Sequence, residues 1–193
     1  MLISFVGGPA SGKTTTAAMV FSRLKELGSP VEFIYEQARI HIAKKKFKLG
    51  LKPEDKLILT DEDQIHILSE QRDLENIMSQ ACGDKVNLIS DSSTLNSLLY
   101  MSEEILETEI VKTLVKDSVS RYDLVFYAPL VKISSVLDPN RVHNEQESIK
   151  VNDKIPSILN RFAPGLKVIE LAGDPKYRER KVISEIMNKL VTG

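Results

Sequence analysis

The chain has 193 residues, enough for one domain with a sizeable core. Its hydrophobic content of 42%, charged content of 27% and formal net charge of −1 are ordinary for a globular protein, so no overall basic field advertises nucleic-acid binding. A single cysteine, Cys82, excludes an intrachain disulfide. It falls late in a helical stretch, where it reads as a small packing residue, and a reducing, cytoplasmic setting is expected. The first residues read as a strand rather than a leader, and no run of about 18 apolar residues is present to span a bilayer, so no membrane partner is expected.

Met1–Val6 is a short apolar strand. It runs into Gly7-Gly8-Pro9-Ala10-Ser11-Gly12-Lys13-Thr14, which fits G-x-x-x-x-G-K-[ST], and a helix is predicted over Lys13–Leu27. Strand, loop and helix are the context that a phosphate-binding loop needs. Glycines let backbone N–H groups close around a phosphate, and the helix points its positive end at the same anion. Lys13 can reach the β- and γ-phosphates of ATP and the Thr14 hydroxyl can ligate Mg²⁺, with Thr15 beside them on the first helical turn.

A second strand, Val31–Tyr35, follows the Gly28-Ser29-Pro30 turn. Glu36 and Arg39 come next and share a face of the helix predicted over Gln37–Leu49. At the carboxyl end of a strand, Glu36 can orient an acceptor hydroxyl or take its proton, and Arg39 can anchor the acceptor; the plainer reading is a helix-start carboxylate paired with a surface arginine. The same helix carries Lys44-Lys45-Lys46 and Lys48. A long helix is predicted over Asp61–Cys82, capped by Thr60 or Asp61. Its Gln71 and Arg72, with His66, can line an acceptor pocket or form a solvated face. His41, His66 and His143 show no metal-ligand spacing.

Val86–Ser90 is a third strand ending in Asp91, a Walker B-like arrangement in which the carboxylate helps to hold Mg²⁺. Asp91-Ser92-Ser93-Thr94 is also good turn-capping chemistry. Ser92 stands where many motor ATPases place a water-activating glutamate, and no N-K-x-D guanine-reading motif occurs. Leu95–Ser120 holds one or two helices and Leu124–Ala128 a fourth strand. The stretch from Asp138 to Phe162 is polar at first and helical later, a candidate lid over about residues 138–160, with Arg141 placed to meet transition-state charge. Leu166–Leu171 is a fifth strand, Asp174 follows it in a turn that resembles the one lying beside the adenine in nucleoside-monophosphate-kinase-like folds, and Lys176–Val191 is the last helix. Five apolar strands separated by helices predict one α/β domain over residues 1–193. A parallel five-stranded sheet is covered on both faces in three layers, with a helical lid.

Together these residues resemble a P-loop kinase of the nucleoside and nucleotide kinase superfamily. More narrowly, the chain is similar to the AAA-type ATPase/kinase family that includes the ribosylnicotinamide kinase domain of NAD-salvage proteins. The points of resemblance are the Gly7–Thr14 loop, Glu36-x-x-Arg39, Ile89–Thr94, Tyr122-Asp123-Leu124-Val125 and Asp138-x-x-Arg141. The resemblance implies the P-loop NTPase fold. It makes Lys13 and Thr14 phosphate and Mg²⁺ ligands, Glu36 or Asp91 the acceptor-orienting acid, and Arg141 the lid arginine.

The function expected is ATP-dependent phosphorylation of a hydroxyl on a nucleoside, nucleotide or related riboside. Two alternatives stand beside it: a kinase acting on nucleic acid, at a strand end or a hydroxymethylated base, and an ATP-binding regulatory ATPase with no acceptor. Lys44, Lys45, Lys46, Lys48 and Lys52 are the phosphate-tracking patch of the nucleic-acid alternative. The near-neutral charge and the lack of clustered aromatics near these lysines favour the small acceptor. Oligomeric state is not legible.

Overall fold

Side chains that alternate along the strands build this sheet from both sides. In a computed structural model, which describes residues 1–130 and 145–192, five parallel strands lie in the order β2-β3-β1-β4-β5. They are β1 (Leu2–Val6), β2 (Val31–Ile34), β3 (Asn87–Ser90), β4 (Leu124–Tyr127) and β5 (Val168–Glu170). The central strand β1 sets Ile3 beside both Ile89 and Leu124. Successive residues point to opposite faces, so Ile3 and Phe5 join one core while Leu2 and Val6 join the other. The first face is covered by α1 (Lys13–Glu26) and α8 (Pro175–Thr192), which contribute Ala17, Val20, Leu24, Val182 and Ile186. The second is covered by α3 (Asp61–Cys82), α4 (Leu95–Leu98), α6 (Glu109–Val119) and α7 (Glu145–Phe162), which contribute Leu68, Leu95, Val111, Val115 and Ile155. Each buried Val, Leu or Ile among them contributes about 1.5–3 kcal/mol by leaving water. The expected three-layer α/β fold with a five-stranded parallel sheet is the one observed.

Element bounds match the sequence reading to within two residues, with one difference. The stretch 95–120 forms three helices, not one or two: α4, α5 (Glu103–Leu106) and α6. Ser102 caps α5, its hydroxyl accepting from the Ile105 N–H, and Thr108 precedes α6, so local turn chemistry interrupts a helical pattern twice. Asp138 and Arg141 of the expected lid lie outside the described residues. Its later half is α7, with Pro156 inside it.

Helix α2 (Gln37–Lys48) buries only Gln37 and is held to α3 by charge. Asp63 closes a capping box on Thr60 and also binds Lys45 at 2.5 Å and His41 at 2.9 Å. Burial alone would raise the Asp63 carboxyl, but hydrogen bonds from Lys45, Thr60 and His41 hold it well below the usual carboxylate range. The imidazoles of His41 and His66 meet with ring centroids 5.2 Å apart, and His66 faces Glu70 at 3.4 Å. Three-dimensional packing thus brings together histidines whose sequence spacing had no pattern.

Candidate phosphoryl-transfer site

The loop after β1 wraps tightly because its residues permit it. A Cβ on Gly7 would stand 2.6 Å from the Ala128 carbonyl oxygen, and one on Gly8 would stand 2.5 Å from the Asn152 amide. Gly12 sits at φ 81° and Ala10 at φ 62°, so the loop holds one non-glycine residue in the left-handed region. Distant side chains fix this shape. The Asn96 side-chain oxygen accepts from the Gly7 N–H at 3.1 Å, and that of Asn152 accepts from the Gly8 N–H at 3.4 Å. Arg178, only 3% exposed, donates to the Ser11 carbonyl at 2.6 Å and to the Gly173 and Pro129 carbonyls at 3.1 Å each.

Lys13 folds back over the loop, donating to the Gly7 carbonyl at 2.7 Å and the Gly8 carbonyl at 3.1 Å. Burial pulls its pKa down, and the carboxylates of Glu36 and Asp91 oppose that fall. The Thr14 hydroxyl donates to Asp91 Oδ2 at 2.9 Å. Asp91 is 2% exposed, and its other oxygen, Oδ1, is buried with no hydrogen-bond partner. Burial, reinforced by Glu36, raises the Asp91 carboxyl to about 6 against the Thr14 bond and Lys13. An unpaired buried carboxylate oxygen beside a hydroxyl is an oxygen donor set that a hard cation such as Mg²⁺ fits.

A cleft of about 1000 Å³ opens from this loop. Gly7 to Thr15 line one end, and Glu36 and Arg39 face them. Glu36 accepts from Arg39 Nε at 2.9 Å. Beyond them the walls turn largely apolar, with Ile42, Leu57 and Ile67, while Gln64 and Asn96 supply amides. The structure therefore brings Gly7, Gly8, Pro9, Ala10, Ser11, Gly12, Lys13, Thr14, Thr15, Glu36 and Arg39 to one cleft, with Asp91 behind Thr14.

Two expected site residues go elsewhere. Arg72 does not reach the cleft; its guanidinium pairs with Asp117 at 2.7 Å and with Asp73 at 2.9 Å, tying α3 to α6. Asp174 is exposed and caps α8, accepting from the N–H groups of Lys176 and Tyr177, so its carboxylate is engaged in a turn and does not line the cleft. Arg141 lies outside the described residues.

Sequence reasoning missed a buried network beside the site. Glu75 on α3 is fully buried and accepts from Ser90 at 2.7 Å and from the Tyr122 hydroxyl at 3.0 Å. Gln71, in hydrogen-bond reach of Ser90, accepts from the Gln37 N–H at 2.9 Å. The residues next to Asp91 and Glu36 are thus joined through α3. The neighbours of Glu75 at helical spacing, Gln71, Arg72, Met78 and Ser79, are mostly polar, so the sequence gives no signal of its burial.

A family model described as the AAA domain matches residues 2–180. The chain belongs to that AAA domain family. No curated protein matches the sequence. Among solved structures, NadR in complex with NAD and AMP-PNP superposes with TM-score 0.65 at 16% identity over 97% of this chain, which spans about half (48%) of the NadR chain. Thymidylate kinase from Ehrlichia chaffeensis superposes with TM-score 0.63 at 15% identity, covering 96% of this chain and 98% of that one. Deoxyadenosine kinase from M. mycoides superposes with TM-score 0.58 at 13% identity, covering 97% and 100%. At these identities the likeness is one of fold: the AAA-domain chain has the P-loop nucleoside/nucleotide-kinase architecture. Among the described residues no helix is long and apolar enough to cross a membrane.

Proposed function

We propose that this protein is an ATP-dependent kinase that phosphorylates a hydroxyl of a nucleoside-like acceptor. One observation carries the reading: a phosphate-binding loop, with Lys13 and the Thr14–Asp91 pair, faces an acid-bearing pocket across a single cleft. A kinase needs two substrates in line, and the cleft has room for both. Ser92 after Asp91 fits the same reading, since a water-activating carboxylate is missing where hydrolysis would use one.

Backbone N–H groups of Ala10–Lys13 cradle the β- and γ-phosphates, and Lys13 moves from loop carbonyls onto the phosphate oxygens. Thr14 and Asp91 are the residues that would hold Mg²⁺, which would supply neutralisation of phosphate charge when bound. Glu36 orients the acceptor hydroxyl, whose oxygen attacks the γ-phosphorus. The bond from that phosphorus to the β–γ bridging oxygen breaks, ADP leaves, and the hydroxyl proton passes to the Glu36 carboxylate. Arg39 steadies Glu36 and the acceptor. Neighbours of the same fold include proteins that bind nucleosides or nucleotides, such as NadR in complex with NR, which supports an acceptor of that class.

Glu36→Gln separates the halves of the cleft. We expect turnover with acceptor to fall by about 10²–10⁴, as for loss of a general base, with ATP affinity changed less than about threefold. Weaker ATP binding with turnover intact would move the acceptor pocket away from Glu36.

A further inference from the structure

The mouth of the cleft carries charge and apolar surface that a free nucleoside would leave unused. Residues 44–56 hold six lysines against two acids, Glu54 and Asp55, in a chain whose net charge is −1. The structure sorts those lysines. Lys44 pairs with Glu70, Lys45 with Asp63 and Lys56 with Glu147. Lys46, Lys48 and Lys52 have no carboxylate partner among the described residues, and the Lys46 ammonium is bonded only to the Pro53 carbonyl. Between Lys46 and Lys48 stands Phe47, 87% exposed, with Ile58 nearby on the same rim at 77%. One aromatic ring, though no cluster of them, thus accompanies the lysines. A solvent-facing aromatic ring is set among uncompensated cations, and both Lys46 and Phe47 line the cleft that Glu36 faces.

We infer that the acceptor hydroxyl is presented on a single-stranded nucleic acid. Its reacting nucleotide enters the cleft while the flanking phosphates lie on Lys46, Lys48 and Lys52 and a neighbouring base stacks on Phe47. This rests on the kinase reading above and names its acceptor. The charge is complementary to a strand, and a flat exposed ring takes any base without sequence preference. A paired nucleotide cannot reach Glu36 without leaving its stack, so the single strand is the fitting form. In the transfer the strand's hydroxyl oxygen gains the γ-phosphoryl group, ADP leaves and the proton goes to Glu36.

The test uses a fluorescein-labelled 12-nucleotide single-stranded DNA of mixed sequence, titrated by anisotropy at 50 and 200 mM salt. Wild type should bind with Kd of about 10 μM or tighter at low salt and weaken about fifteenfold at high salt, a log–log slope of about −2 for three phosphate contacts. The K46S/K48S/K52S variant should bind weakly with a nearly flat salt dependence. Phe47→Ala should weaken binding about tenfold at both salts and leave the slope unchanged. Circular dichroism checks the fold of each variant. Absence of binding by folded wild type, a slope that survives in the triple variant, or an inert Phe47→Ala would each overturn the inference. Calorimetry with ATP and transfer to free nucleosides separate the two readings. ATP that binds and is transferred while the strand is ignored removes the nucleic-acid acceptor alone; ATP that does not bind removes the kinase.

Discussion

Thr14 and Asp91 are 77 residues apart in sequence and one hydrogen bond apart in space, with Lys13 next to Thr14. Lys13→Ala should reduce phosphoryl transfer by several orders of magnitude, about 10³ or more, because the ammonium faces charge that develops on the transferring group. A folded variant within tenfold of wild type would remove Lys13 from the site. Asp91→Asn keeps the shape of the side chain and drops its charge. The Mg²⁺ concentration for half-maximal activity should then rise at least about tenfold while nucleotide affinity changes less; an unchanged titration would leave Asp91 as a turn cap. The loop residues were legible because their pattern is local and each position has a steric or electrostatic reason. Asn96, Asn152 and Arg178 were not, because they act on the loop across 89, 144 and 167 residues. Arg178 is one of several charges on the last helix, and only the packing of α8 against α1 turns it inward.

Helix α3 organises the acceptor side through its N-terminus and its middle. Its capping box anchors α2, and its middle carries Glu75 beneath Ser90 and Tyr122. Burial raises the Glu75 carboxyl from 4.5 to about 7, against hydrogen bonds from Ser90, Tyr122 and Gln71. The folded protein therefore keeps this proton to higher pH than the unfolded chain does. Its stabilising contribution is full below about pH 4.5 and is lost as pH rises through 7, on the order of 3 kcal/mol across the window. Glu75→Gln removes the titration and keeps a hydrogen-bonding side chain. Urea midpoints at pH 5 and pH 8 should show wild type losing stability relative to this variant at the higher pH; a difference independent of pH would contradict the buried, proton-holding glutamate. Helix positions were legible where caps and apolar spacing agree, as over 61–82. The break of 95–120 into three helices was not, because Ser102 and Thr108 interrupt a pattern that propensity alone continues.

The order β2-β3-β1-β4-β5 places β1 at the centre, so that its carboxyl end, with the phosphate loop, stands between those of β3 and β4. That crevice is where open α/β sheets bind ligands. The alternation of strands and helices predicts the layers. It does not predict which acidic group faces the cleft, and Asp174 and Arg72 show how strand-end position and helix face mislead when a cap or an ion pair claims the side chain. The central claim is that the cleft moves the γ-phosphoryl group of ATP to an acceptor hydroxyl and not to water. The direct measurement incubates the protein with γ-labelled ATP and Mg²⁺, alone and with ribosides, deoxynucleotides or a single-stranded oligonucleotide, and follows label in acceptor and in inorganic phosphate. The account predicts label in an acceptor class, dependent on Lys13 and Glu36, with release of phosphate slow when no acceptor is present. Rapid phosphate release that no acceptor diverts, with both side chains intact, would contradict it.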